Sequence, residues 1–130
     1  MSIEGLRIFK SRHDPVTTLD RAVAAVARNG MKVIARIDHG ALAEAAGAAL
    51  RPTVVLMFGN AKAGAPTVQT AQTLAIDLPL KLLVWQDAKG ETWAAYNDPI
   101  WLLRRHAVDD EASAEVMNDV LANVAGEATG

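Results

Sequence analysis

Residues 52–59, Pro-Thr-Val-Val-Leu-Met-Phe-Gly, form a near-continuous apolar run fenced by a proline and a glycine. The run is far short of the roughly 20 apolar residues a membrane helix needs. Its β-branched and aromatic content predicts a central strand buried on both faces. A strand of that kind cannot sit at an edge. The rest of the chain has to supply pairing partners on both sides of it and a layer to cover it.

Those partners are visible on either side. Leu80–Gln86 and Thr92–Asn97 read as a hairpin closed by Asp87-Ala88-Lys89-Gly90, with Gly90 placed for a positive φ. Leu6–Lys10 alternates apolar and charged residues as a half-buried strand does, and Met31–Ile37 reads as a further strand with Val33, Ala35 and Ile37 facing the core. Between them, Thr17 and Asp20 have the spacing of a capping box. Leu19, Val23, Val26 and Ala27 follow at helical intervals, and Asn29-Gly30 supplies a stop.

A short helix over Ala41–Ala46 is capped by Asp38 or His39. Pro66 takes the first position of another that continues through Val68–Ala75, and Asp77-Leu78-Pro79 ends it. Asn97-Asp98-Pro99 starts a helical segment to His106. Asp109, Asp110 and Glu111 open the last helix, whose buried stripe is Val116, Met117, Val120, Leu121 and Val124 and whose end is Gly126. Strands and helices interspersed around an antiparallel hairpin define an α+β domain. The whole chain, 1–130, reads as one domain.

At 130 residues, 51% of them hydrophobic, the chain can bury about two thirds of its unfolded surface in one core. That composition excludes disorder and low complexity. With no cysteine, thiol nucleophiles, thiolate metal sites and disulfides are excluded as well. The N-terminal residues carry an acid and no apolar segment, so no signal peptide is expected and the reading is cytoplasmic.

Net charge is −2, unevenly spread: residues 1–65 hold nine Lys/Arg against five acids, and residues 66–130 four against ten. The basic residues are scattered singly, without the stripe and interleaved aromatics of a nucleic-acid surface, so no nucleic acid and no membrane are expected as partners. The asymmetry points instead to pairing within the molecule or between copies.

Few motifs carry chemistry. Gly59-Asn60-Ala61-Lys62-Ala63-Gly64 has the glycine spacing of a phosphate loop, but Ala65 and Pro66 stand where Lys and Ser or Thr are required. What survives is a weak anion site on Lys62 and the amides of Gly64 and Ala65. His13, His39 and His106 have no metal-ligand spacing, so no metal or cofactor is expected. No nucleophile elbow surrounds Ser2, Ser11 or Ser113. His39 beside Asp38 could work near neutral pH, or simply cap a helix. Asp77, set among Ile76, Leu78 and Pro79, could titrate abnormally or accept backbone amides at a helix-to-strand junction. Trp85 and Trp93 share the hairpin, which also carries Tyr96, and could pack across it or line a pocket.

Phe58-Gly59-Asn60, Asp77-Leu78-Pro79-Leu80-Lys81-Leu82-Leu83-Val84-Trp85 and Tyr96-Asn97-Asp98-Pro99, with His39, Ala43, Gly47 and Leu50-Arg51-Pro52, together resemble the domain-of-unknown-function family numbered 302. The likeness runs over about residues 6–106, with a C-terminal helix at about 110–125 beyond it. Ala61 stands where that family usually has proline. The resemblance implies a TATA-binding-protein-like α+β fold, in which a strand, a helix and an antiparallel sheet wrap a C-terminal helix, with a single layer of helices on one face, often as a homodimer. It implies no established activity.

The expectation is therefore a homodimer that binds a small ligand or partner at His39, Asn60, Asp77, Lys81 and Tyr96. One alternative is an acid–base enzyme acting on a small anionic metabolite, with Asp77 or His39 moving the proton and Lys62 or Lys81 holding the anion. Another is a purely structural or regulatory dimer whose edge strands pair across a two-fold axis.

Overall fold

The computed structural model describes residues 1–130. Five strands, β1 (Leu6–Lys10), β2 (Lys32–Asp38), β3 (Thr53–Gly59), β4 (Leu80–Gln86) and β5 (Thr92–Asn97), form one antiparallel sheet in the order β1-β5-β4-β3-β2. The apolar run is β3, paired on both sides as its composition requires. It is buried on one face only. Val54, Leu56 and Phe58 are buried, while Val55 and Met57 are half-buried.

The helices are α1 (Pro15–Arg28), α2 (His39–Ala45), α3 (Ala61–Thr70), α4 (Pro99–Arg105) and α5 (Glu111–Thr129), with a 3-10 helix at Gln72–Asp77. One core joins Leu19, Ala22, Ala25 and Val26 of α1 to Leu121, Val124, Ala125 and Ala128 of α5, against one face of the sheet. A second, smaller core gathers Leu74, Leu103 and Ala114, tying the 3-10 helix, α4 and α5 together. Helix α5 belongs to both.

Several local expectations shift in the structure. Asp14, not Thr17, caps α1: its carboxylate accepts from the Thr17 amide at 2.7 Å, and Pro15 takes the first helical position. Asp38 caps α2, leaving His39 as its first residue. Asn60 caps α3 through its side-chain oxygen, so the helix starts five residues before Pro66. A bulge between Val33 and Ala35 turns Ala35 and Ile37 to the sheet face away from the core, where they pair Met57 and Val55. Helix α5 runs past Gly126 because Ala128 and Thr129 find burial beyond it, and the Thr129 carbonyl accepts from the Arg12 amide.

The charge asymmetry is used within the molecule. Arg7 pairs with Asp98, Lys10 with Glu91 and Arg28 with Glu127, each joining a base from the first half to an acid of the second. These are exposed pairs and contribute little individually, about 0–1 kcal/mol.

Candidate functional site

The five residues singled out in the sequence do not converge. His39 is exposed at the start of α2, beyond Asp38, which pairs with Val54. Asn60 follows Gly59 at the other end of β3. Val54 to Gly59 is five steps along the strand, which separates the two sites by about 17 Å. Tyr96 is buried in the main core, its ring stacked on Phe9 with centroids 5.7 Å apart and its hydroxyl donating to Asn118 Oδ1 at 3.2 Å. Burial raises the phenol above its ordinary pKa; nearby Arg7 opposes that shift and Asp98 adds to it.

Asp77 and Lys81 do meet, but not as free acid and base. The Lys81 ammonium donates to the main-chain carbonyls of Asp77 (3.1 Å) and Pro79 (3.0 Å). Burial lowers its pKa, and the Asp77 charge offsets part of that shift. The Asp77 side chain accepts no backbone amide; it holds two side chains of the α4 terminus instead. Arg105 Nη1 donates to both carboxylate oxygens at 2.8 and 3.1 Å, and His106 Nε2 lies 2.5 Å from Oδ2.

On its other nitrogen, His106 Nδ1 is 2.9 Å from Thr73 Oγ1. A carboxylate only accepts, so His106 Nε2 donates, and the imidazole bridges both ends of the 3-10 helix to α4. Nothing local in the sequence announces this link, because its partners lie 28 to 33 residues apart. It is a polar staple. The expected anion site on Lys62 also dissolves, since the Gly64 amide donates to the Asn60 carbonyl as part of α3.

What the sequence did not show is a cavity of about 720 Å³ under α3. Its walls come from α3, from the ends of β3 and β4, and from Val116, Met117 and Val120 of α5. These α5 residues were expected in the core; Val116 is 65% exposed. Angular position explains why. Leu121, Val124, Ala125 and Ala128 lie on the arc facing the sheet, and Val116, Met117 and Val120 on the neighbouring arc. The apolar surface of α5 is broad enough to serve two contacts, and that breadth was the available signal.

Of the five candidates only Asn60 lines the cavity. No charged residue lines it. Its size is that of a drug-sized ligand site, and its apolar wall with few polar groups is the usual make-up of one.

An antiparallel sheet gripping a long C-terminal helix, with an apolar cavity at one end, defines the class: an α+β domain with a single sheet. The chain belongs to the family described as domain of unknown function DUF302, whose model matches residues 8–126. The crystal structure of an uncharacterized conserved DUF302 protein from Bacillus stearothermophilus is similar to it with a TM-score of 0.79, covering 95% of each chain at 20% identity, which shows the fold. Proteins named fluoride-specific ion channel FluC 1 from Brucella suis and from Brucella abortus are each 41% identical over 104 residues, 80% of this chain. The chain spans only about two fifths of those relatives, 41% and 38% of their lengths. No helix of this chain is long and apolar enough to cross a membrane.

Proposed function

We propose that this chain is a small-molecule-binding domain whose site is the cavity beneath α3. One observation carries the reading. Much of its border is made of small residues, Gly59, Ala61, Ala63, Gly64, Ala65 and Ala75, which leave the space between α3 and α5 open. Catalysis has weaker support. The acid and the bases near the cavity (Asp77, His106, Lys81) are committed to one another and to main-chain carbonyls, and none faces the cavity. His39 is remote.

In the Brucella proteins, a channel has to cross the bilayer with helices or a closed barrel. On this reading the unmatched three fifths carry the pore, and the matched segment is an appended ligand-responsive domain.

The test is the fluorescence of a neutral apolar probe, N-phenyl-1-naphthylamine. Wild type should bind it, and Val116→Trp, which fills the mouth from an exposed position, should lose that binding while keeping its circular dichroism. Unchanged binding by Val116→Trp would refute the cavity as the site.

The second part of the proposal is a homodimer formed through the sheet face opposite the core. Ile8, Ala95, Leu83, Val55 and Ile37 are successive register partners, giving an unbroken apolar row across all five strands, with the Trp85–Trp93 pair beside it. Five strands about 4.8 Å apart and about 20 Å long present a face on the order of 500 Å² in projection, near the lower end of what one partner of a specific interface buries. Leu83→Glu should convert a dimer to a monomer in light scattering. A monomeric wild type at tens of micromolar would end this part of the proposal.

A further inference from the structure

Resting on the ligand-binding reading above, we propose that the cavity selects an uncharged, mostly apolar molecule bearing one hydroxyl or carbonyl group, held by Thr67, and that it rejects carboxylates and phosphates. The wall contains no charged side chain. A buried anion without a partner is strongly disfavoured. The bases of the adjoining segment are occupied, Lys81 by two carbonyls and Arg105 by Asp77.

Thr67 supplies the positive selection. It lines the cavity, is only 9% exposed, and its hydroxyl has no hydrogen-bond partner in the protein. The only fully occluded side-chain polar atom without a partner is His13 Nε2, so the Thr67 hydroxyl keeps some accessible surface, in a residue that lines the cavity. The other polar groups of the wall are largely committed. Asn60 Oδ1 accepts from the Lys62 and Ala63 amides, and Ser113 Oγ donates to Asp110. An apolar ligand that covers this hydroxyl leaves it unbonded at a cost, and a ligand hydroxyl or carbonyl removes that cost. Met31 and Met117, both on the wall, can adjust to the apolar body.

The experiment displaces N-phenyl-1-naphthylamine from the full chain at pH 8 with 1-decanol, decane and decanoate. Decanol should compete about five-fold more strongly than decane, the equivalent of one net hydrogen bond, and more than ten-fold more strongly than decanoate. Thr67→Val should erase the advantage of decanol over decane, leave probe affinity within about two-fold, and keep or raise the melting temperature, because the hydroxyl holds nothing in the protein. Decanoate competing as well as decanol refutes the ligand class while the cavity reading stands. A decanol preference that survives Thr67→Val refutes the role of Thr67. A wild type that binds no probe refutes the underlying ligand-binding reading itself.

Discussion

Replacing Asp77 by alanine isolates the staple that fixes the 3-10 helix to α4. The loss has two parts of unequal size. The His106 side chain is 8% exposed, so removing its acceptor strands a buried N–H, at about 1–3 kcal/mol. The Arg105 side chain is 50% exposed, and losing a solvated ion pair costs about 0–1 kcal/mol. Together Asp77→Ala should destabilise by about 1–4 kcal/mol. For 130 residues at about 2.1 cal/mol/K each, the melting entropy is about 0.27 kcal/mol/K, so the melting temperature should drop by roughly 4–15 °C.

Two controls separate the parts. Asp77→Asn keeps an acceptor for His106 and should lose no more than about 4 °C, and Arg105→Ala should lose as little. Calorimetry at pH 7 measures all three. An Asp77→Ala protein melting within 2 °C of wild type would refute the reasoning, and so would Asp77→Asn melting as low as Asp77→Ala. Probe affinity gives a second readout. Because the stapled segment brings Ala75 and Leu78 to the cavity wall, Asp77→Ala should also weaken N-phenyl-1-naphthylamine binding.

Two further outcomes follow from the core and from a turn. Burial raises the Tyr96 phenol above its ordinary pKa of 10.0, with Arg7 opposing and Asp98 adding. The stability this confers is full below that value and is lost as pH rises through the folded one. Urea titrations from pH 8 to 11 should show an alkaline decline that Tyr96→Phe reduces; an identical decline in both proteins would contradict it. Gly5 has φ +75°, and a Cβ there would lie 2.5 Å from the Trp101 ring. Gly5→Ala should therefore cost more than about 1 kcal/mol in denaturant titrations, and a neutral effect would mean that Trp101 moves aside freely.

The fold was largely legible because its signals are local. A fenced apolar run, a turn with glycine in place and acids ahead of a helix each act within a few residues, and all mark elements that exist. The errors lie where a distant contact overrides the local pattern. Val33 alternates correctly with Ala35 and Ile37, but the bulge at the β2 edge moves the latter two to the other face. Gly126 is a sound helix stop by composition, yet the burial of Ala128 beyond it keeps the helix going. The site was less legible for the same reason. Asp77 reads in the sequence as an acid that titrates abnormally or accepts backbone amides, whereas its partners Arg105 and His106, the latter also held by Thr73, reach it only through the docking of α4 on the 3-10 helix.

The place of the cavity follows from α5 serving two cores. Its C-terminal half, from Leu121 to Ala128, closes the sheet, and Ala114 in its N-terminal half closes the smaller cluster with Leu74 and Leu103. Two cores that share one rigid rod leave a gap between them wherever their outlines do not meet, here alongside Val116, Met117 and Val120. A sequence shaped by stability alone would fill that gap, since larger apolar side chains on α3 would gain packing at little cost in strain. This sequence spans it with Ala61, Ala63, Gly64 and Ala65, and turns an unbonded threonine inward one turn later. Small side chains over an apolar space and a hydroxyl without a partner both work against a closed core. On the proposed reading a bound molecule resolves both at once, by filling the space and bonding the hydroxyl.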